Sequence, residues 1–170
     1  MIANITHKEK TFKVDLTQPI DISLPLKDGN DNPNAWYVPD VKMEAVVMGD
    51  WVGEVKKGGS VNFFNIFFNP HGHGTHTECV GHISKEKESI NECVKTYFFT
   101  TQLISIEPTQ QDGDLIITKA QIEQAIEPQT ESIIIRTLPN GKDKKNKAYS
   151  NTNPPYLEKE AADLLRELDI

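Results

Sequence analysis

The chain has few cysteines, no long apolar run and no excess of positive charge. Its two cysteines, Cys79 and Cys93, are too few for a disulfide scaffold in 170 residues. No apolar stretch approaches the length of a transmembrane helix, and residues 1–10 lack the apolar core of a secretory signal. We therefore expect a soluble, cytoplasmic protein. The net charge of −7 argues against a general binder of nucleic acid or of membrane surfaces.

The length predicts a single domain over residues 1–170, with residues 1–10 as a flexible leader. A capping-box pattern at Thr118 and Gln121 begins one helix, and Leu157–Leu168 forms a second, amphipathic one. The segments rich in β-forming residues predict strands at Thr11–Leu16, Met43–Met48, Ser60–Phe68, Gln102–Ile106, Leu115–Ile117 and Ser132–Arg136. The strand–helix–strand order in the second half predicts an α/β domain with a mixed sheet.

Two polar loops contain residues that could contact a ligand. The loop of residues 25–40 contains Trp36, a large aromatic side chain that either lines a ligand mouth or covers the core. The segment Gly141–Lys147 contains four lysines, but Asp143 interrupts them and few aromatic residues accompany them. A solvated loop is the favoured interpretation of this segment.

The chain has five histidines, and four of them lie within residues 71–82, together with Glu78. Imidazole is the commonest metal ligand in proteins, and a neighbouring carboxylate suits a divalent ion. The histidines therefore predict a metal site; a solvated glycine-rich loop is the alternative. Cys79 is either a thiolate ligand or, as we favour, a small buried thiol. The candidate ligands are His71, His73, His76, Glu78 and His82.

The spacing of the cluster suits hydrolytic chemistry. In an extended segment His76 and Glu78 point to the same side, because strand side chains repeat every two residues. A divalent ion held by two histidines and one carboxylate keeps open positions, lowers the pKa of bound water and polarises a carbonyl. His82 is then a further ligand or a general acid/base.

The sequence resembles the metal-dependent cyclase hydrolases, the family of bacterial kynurenine formamidase and isatin-hydrolase-type enzymes. Gly74-Thr75-His76-Thr77-Glu78 followed by His82 looks like the family signature His-x-Gly-Thr-His-x-Asp-x-Pro-x-His. Three further segments are similar to the family: Asp15–Ile20, Ile133–Thr137 and Asn153–Leu168. The resemblance extends from Val14 over most of the chain.

The resemblance implies roles for individual residues. His76 is expected to bind metal, Glu78 replaces the family aspartate that binds or bridges metals, and His82 is expected to be the proton donor and acceptor. The first histidine of the signature falls on Gly72, so His71 or His73 is expected to fill that position. His71 is favoured because Asn69-Pro70-His71 directly follows a predicted strand.

The resemblance also implies a fold and an activity. The fold is a mixed, barrel-like β-sheet with helices, the swivelling β/β/α domain of this family. The activity is hydrolysis of an amide, formamide or cyclic amide/lactone bond of a small molecule with one or two zinc or manganese ions. Trp36 is a candidate contact for an aryl substrate, and homodimers or larger homo-oligomers are expected. The alternative is a non-catalytic metal- or ligand-binding relative, because the family's C-terminal strands and ligands are expected to lie beyond Ile170.

Overall fold

The first strands of the fold form a hairpin at the N-terminus. The computed structural model describes residues 1–170 and is mixed α/β. Strands β1 (Ile2–His7) and β2 (Lys10–Asp15) pair antiparallel. The strand predicted at Thr11–Leu16 is confirmed, shifted by one residue. Residues 2–7 of the segment expected to be a flexible leader form β1 and pair with β2.

A second group of strands precedes the histidines. Strands β3 (Lys42–Ala45), β4 (Val47–Met48), β5 (Trp51–Val52) and β6 (Phe64–Phe67) form two antiparallel pairs, β3 with β6 and β4 with β5. The predicted strand Ser60–Phe68 is thus shortened. It is also exposed rather than central: its sheet has only two strands, and its apolar residues Phe64, Ile66 and Phe67 are 41–54% exposed.

Two short helices follow β6, one before and one after the segment that carries His76, Glu78 and His82. Helix α1 (Pro70–His73) begins directly after the strand, and α2 (Ile90–Cys93) lies beyond the last clustered histidine. Between them, a 3₁₀ turn at Val80–His82 changes the chain direction.

The second half of the chain contains the regular α/β structure. Strand β7 (Thr101–Ile106) is followed by β8 (Thr109–Gln111), β9 (Asp114–Ile117), helix α3 (Lys119–Ala125), β10 (Ser132–Thr137), β11 (Tyr156–Leu157) and helix α4 (Lys159–Glu167). Strand β10 pairs parallel with β7, and β9 lies between β8 (antiparallel) and β11 (parallel). The predicted strand–helix–strand order is confirmed.

The core lies where α3 and α4 cover these strands. Five buried residues form it: Ile104, Ile106, Ile117, Ile122 and Ala161. The start of α3 is determined locally, because the Thr118 side chain accepts from the Gln121 N–H and the Gln121 side chain accepts from the Thr118 N–H.

The expected mixed α/β class is confirmed, whereas the barrel-like sheet is not observed. The strands form five separate sheets of two or three strands, and none closes on itself. Short strands with irregular connections leave too few neighbours for closure, which requires consistent tilt and stagger around a ring. No helix has the length and apolarity needed to cross a bilayer.

Candidate metal centre

The end of β6 and helix α1 determine where the first two histidines point. Asn69 begins α1, and its side-chain oxygen accepts the His71 N–H at 2.9 Å. The Asn69 N–H donates to Nδ1 of His73 at 2.9 Å. His73 is 3% exposed and is thereby held inside the turn, whereas His71 projects from its outer side.

Glycine allows α1 to approach the neighbouring loop closely. The Ala35 N–H donates to the carbonyl oxygen of Gly72 at 2.9 Å. A Cβ atom at Gly72 would lie 2.5 Å from Cγ2 of Val38, closer than two carbon atoms approach. The absence of a side chain at Gly72 therefore lets the loop of residues 32–38 lie against the turn that carries His71.

Glu78 is the centre of the cluster. Its Oε1 atom lies 2.5 Å from Nδ1 of His71, 3.2 Å from Nε2 of His76 and 3.6 Å from Nδ1 of His82. Partial desolvation raises the pKa of the Glu78 carboxyl, but hydrogen bonds from His71 and His76 and the charges of His82 and His76 outweigh it. The net pKa is lowered, so the group is a carboxylate at neutral pH.

The three imidazole rings pack around this carboxylate. His71 stacks on His82, with ring centroids 4.5 Å apart, and meets His76 edge to face at 5.1 Å. The 3₁₀ turn at Val80–His82 carries His82 back toward the carboxylate. Gly81 packs directly on the backbone of Glu88 in that turn, where a Cβ atom would lie 2.1 Å from the Glu88 oxygen.

The donor set fits a divalent cation. One ligand atom each from His71, Glu78 and His82 lie within 4.8 Å of one another. His76 Nδ1 lies 2.8 Å from the carbonyl oxygen of Gly74, which only accepts, so Nδ1 is the donor there. His76 Nε2 faces Oε1 of Glu78 at 3.2 Å, where either the proton of their hydrogen bond or a metal ion can lie between the two atoms.

The structure brings four of the five sequence-predicted cluster residues together: His71, His76, Glu78 and His82. His73 does not join them. Its Nδ1 is engaged by Asn69, and its Nε2 is buried without a hydrogen-bond partner. Cys79 is half-buried and donates from Sγ to the Glu88 oxygen at 3.5 Å, so it is not among these ligands.

A cavity of about 840 Å³ opens beside His71. Trp36 is 76% exposed on the adjacent loop and does not line this cavity, so its contact with a substrate stays a prediction. Lys144 and Lys145 do line it. Sequence reasoning missed these two lysines, because nothing local distinguishes them from the other lysines of a solvated segment.

Comparison with known proteins identifies the family. A family model described as "Putative cyclase" matches residues 14–170. The chain belongs to this cyclase family. The match begins at the residue where the sequence resemblance begins, and it contains the whole cluster around Glu78. Neither a curated protein nor a solved structure matches the chain at a significant level.

Proposed function

We propose that this member of the cyclase family is a metal-dependent hydrolase of an amide, formamide or cyclic amide/lactone bond in a small molecule. The observation that carries the proposal is the single carboxylate oxygen of Glu78 with three imidazoles around it. One of these imidazoles, that of His71, lines a cavity of ligand size. Zinc or manganese suits a site of imidazole and carboxylate ligands, with one or two ions.

The chain's own residues divide into ligands and a proton carrier. His71, His76 and Glu78 would hold the ion, which when bound activates water and polarises the substrate carbonyl. His82 is half exposed and stacks on His71. From this position its imidazole takes a proton from the attacking water and delivers it to the leaving nitrogen or oxygen, a role worth about 10²–10⁴-fold in rate.

A second candidate function is metal or ligand binding without turnover. The observation that favours it is that a ligand atom of His82 lies within 4.8 Å of those of His71 and Glu78. His82 can therefore serve as a ligand itself, and no free base would then remain beside the ion.

The substitution His82→Ala separates the two functions. Bound metal is quantified after dialysis, and hydrolysis of formanilide is measured with and without a chelator. The hydrolase proposal expects stoichiometric metal in both proteins and a rate at least 100-fold lower in the variant. His7→Gln changes a histidine outside the cluster and is the matched control. Metal without turnover in the unsubstituted protein, with loss of the metal in the variant, supports binding alone. Absence of metal from the unsubstituted protein refutes both.

We further propose that the chain assembles as a homodimer or higher homo-oligomer. Its exposed surface is 13366 Å², whereas a compact monomer of 19.1 kDa exposes about 8,400 Å². The excess includes Phe64, Ile66 and Phe67 of β6, each more than 40% exposed. An obligate homodimer buries about 2,000–5,000 Å². Light scattering after size-exclusion chromatography tests the proposal, and a monomer at micromolar concentration contradicts it.

A further inference from the structure

The cavity beside His71 has a second wall that comes from a distant part of the chain. Lys144 and Lys145 belong to a 3₁₀ turn at Lys142–Lys145, more than 60 residues beyond the cluster, and both line the same cavity as His71. Its volume of about 840 Å³ falls within the range of small-molecule sites.

Backbone hydrogen bonds hold this lysine turn near the cluster. Asn34 donates its N–H to the Lys147 oxygen at 3.1 Å and accepts the Tyr149 N–H at 2.7 Å. The next residue, Ala35, donates to the Gly72 oxygen at 2.9 Å. The dipeptide Asn34-Ala35 therefore connects the lysine segment to the turn that carries His71.

The two lysines are the unpaired cations of the cavity. Lys27 also lines it but forms an ion pair with Asp31. Lys144 and Lys145 take part in no ion pair and donate no side-chain hydrogen bond. Their ammonium groups thus keep all their donors available in a protein whose net charge is −7.

The two aspartates that line the cavity already have partners within the protein. The Asp21 carboxylate accepts the Ser23 N–H at 2.9 Å and the Ser23 hydroxyl at 2.6 Å, and Asp31 is paired with Lys27. The lining therefore has three lysines and two aspartates, a formal charge of +1. One carboxylate on a ligand balances this charge.

We propose that Lys144 and Lys145 bind a carboxylate of the substrate and so direct its scissile carbonyl toward the cluster at Glu78. The substrate class is a small amide, formamide or cyclic amide/lactone that bears a carboxylate at a distance from the bond cleaved. This substrate class depends on the proposed hydrolase function. The carboxylate contact does not require turnover.

The kinetic test compares substrates that differ in one charge. Hydrolysis of 4-formamidobenzoate is measured against its neutral methyl ester, in the unsubstituted protein and in Lys144→Gln/Lys145→Gln. Exposed ammonium–carboxylate pairs are individually weak, so two of them predict about a tenfold loss of kcat/KM on the carboxylate, mainly through KM. The methyl ester is expected to change less than twofold. Lys56→Gln/Lys142→Gln makes the same charge change outside the cavity and is expected to behave as the unsubstituted protein.

The outcome of this kinetic test decides whether Lys144 and Lys145 bind the substrate carboxylate. A tenfold loss confined to the carboxylate, which shrinks when NaCl is raised from 50 to 500 mM, supports the assignment. An equal loss on both substrates, or no loss on either, overturns it. If neither substrate is hydrolysed, the hydrolase proposal fails separately. Binding of benzoate against methyl benzoate, measured by NMR titration, then decides the lysine assignment. Weaker benzoate binding by the double variant supports it, and equal binding overturns it.

Discussion

Substituting Gly72 by alanine tests the close packing that positions His71. The new Cβ atom would lie 2.5 Å from Cγ2 of Val38 and 3.1 Å from the Ala35 oxygen. Carbon atoms pack at about 3.5–4.0 Å, so Val38 and its loop must move by about 1 Å. Such overpacking costs about 1–3 kcal/mol, from which a helical alanine recovers up to about 1 kcal/mol. We expect a net loss of about 1–2 kcal/mol.

Thermal and urea unfolding measure this loss. For a chain of this size 1 kcal/mol corresponds to about 2–4 °C in Tm, so a decrease of about 2–8 °C is expected. Gly74→Ala is the matched control. Its backbone is extended, with φ 168°, and no heavy atom lies within 4 Å of the added Cβ. This control is expected to change stability by less than about 0.5 kcal/mol.

A compensating substitution shows whether the contact with Val38 is the cause. In a Val38→Ala background the contacts with the two Val38 methyl groups disappear and only the 3.1 Å contact with the Ala35 oxygen remains, so Gly72→Ala should cost less there than in the unsubstituted protein. The coupling energy from this double-mutant cycle is expected to be about 1 kcal/mol or more. The proposed metal site gives a second measurement: zinc affinity should fall in Gly72→Ala and recover in the double variant, because the same turn carries His71. An equal cost of Gly72→Ala in both backgrounds would refute the reasoning.

Three further predictions concern the core, one helix start and one ion pair. Ile122→Ala removes the one large side chain that is fully buried, and urea unfolding is expected to show a loss of about 2–5 kcal/mol; a loss below 1 kcal/mol would contradict the observed core. Thr118→Ala is expected to cost about 0.5–2 kcal/mol by the same assay, whereas Thr118→Ser keeps the cap; equal losses would argue against capping. Hydrogen bonds from Lys8 and His7 lower the pKa of Glu131 from 4.5 to about 2. Because the folded pKa is depressed, the stabilisation is present above pH 4.5 and is lost as pH falls toward 2. Glu131→Gln should flatten the stability profile in that window, and an unchanged slope would be evidence against the contact.

The sequence predicted the second half of the chain well because its signals are local. The capping box of α3 joins residues three apart, and the apolar run of β10 is long enough to indicate a strand without tertiary information. Strand β6 was predicted less well. Its aromatic residues are typical of a buried strand, but burial depends on other parts of the fold covering the sheet. In this structure the sheet has only two strands, and the strand is exposed.

The barrel-like sheet came from family resemblance and depends on long-range pairing. Closure is a property of all strands together, so no individual segment encodes it. The structure has five small sheets instead, and a family match over residues 14–170 is compatible with this mixed α/β arrangement.

The sequence by itself determined that this chain carries a histidine–carboxylate cluster, because four of the five histidines fall within twelve positions that also contain Glu78. Only the tertiary structure decided which histidines meet. The sequence favoured His71 over His73 only from its position after a predicted strand, whereas in the structure the Asn69 N–H holds His73 inside the turn and leaves His71 facing Glu78. The structure alone also brought Lys144 and Lys145 to the same cavity, through backbone hydrogen bonds at Asn34. The residue types that can bind a metal are visible in the sequence, because they follow from side-chain chemistry. Whether these side chains meet at one point depends on contacts between segments far apart in the chain.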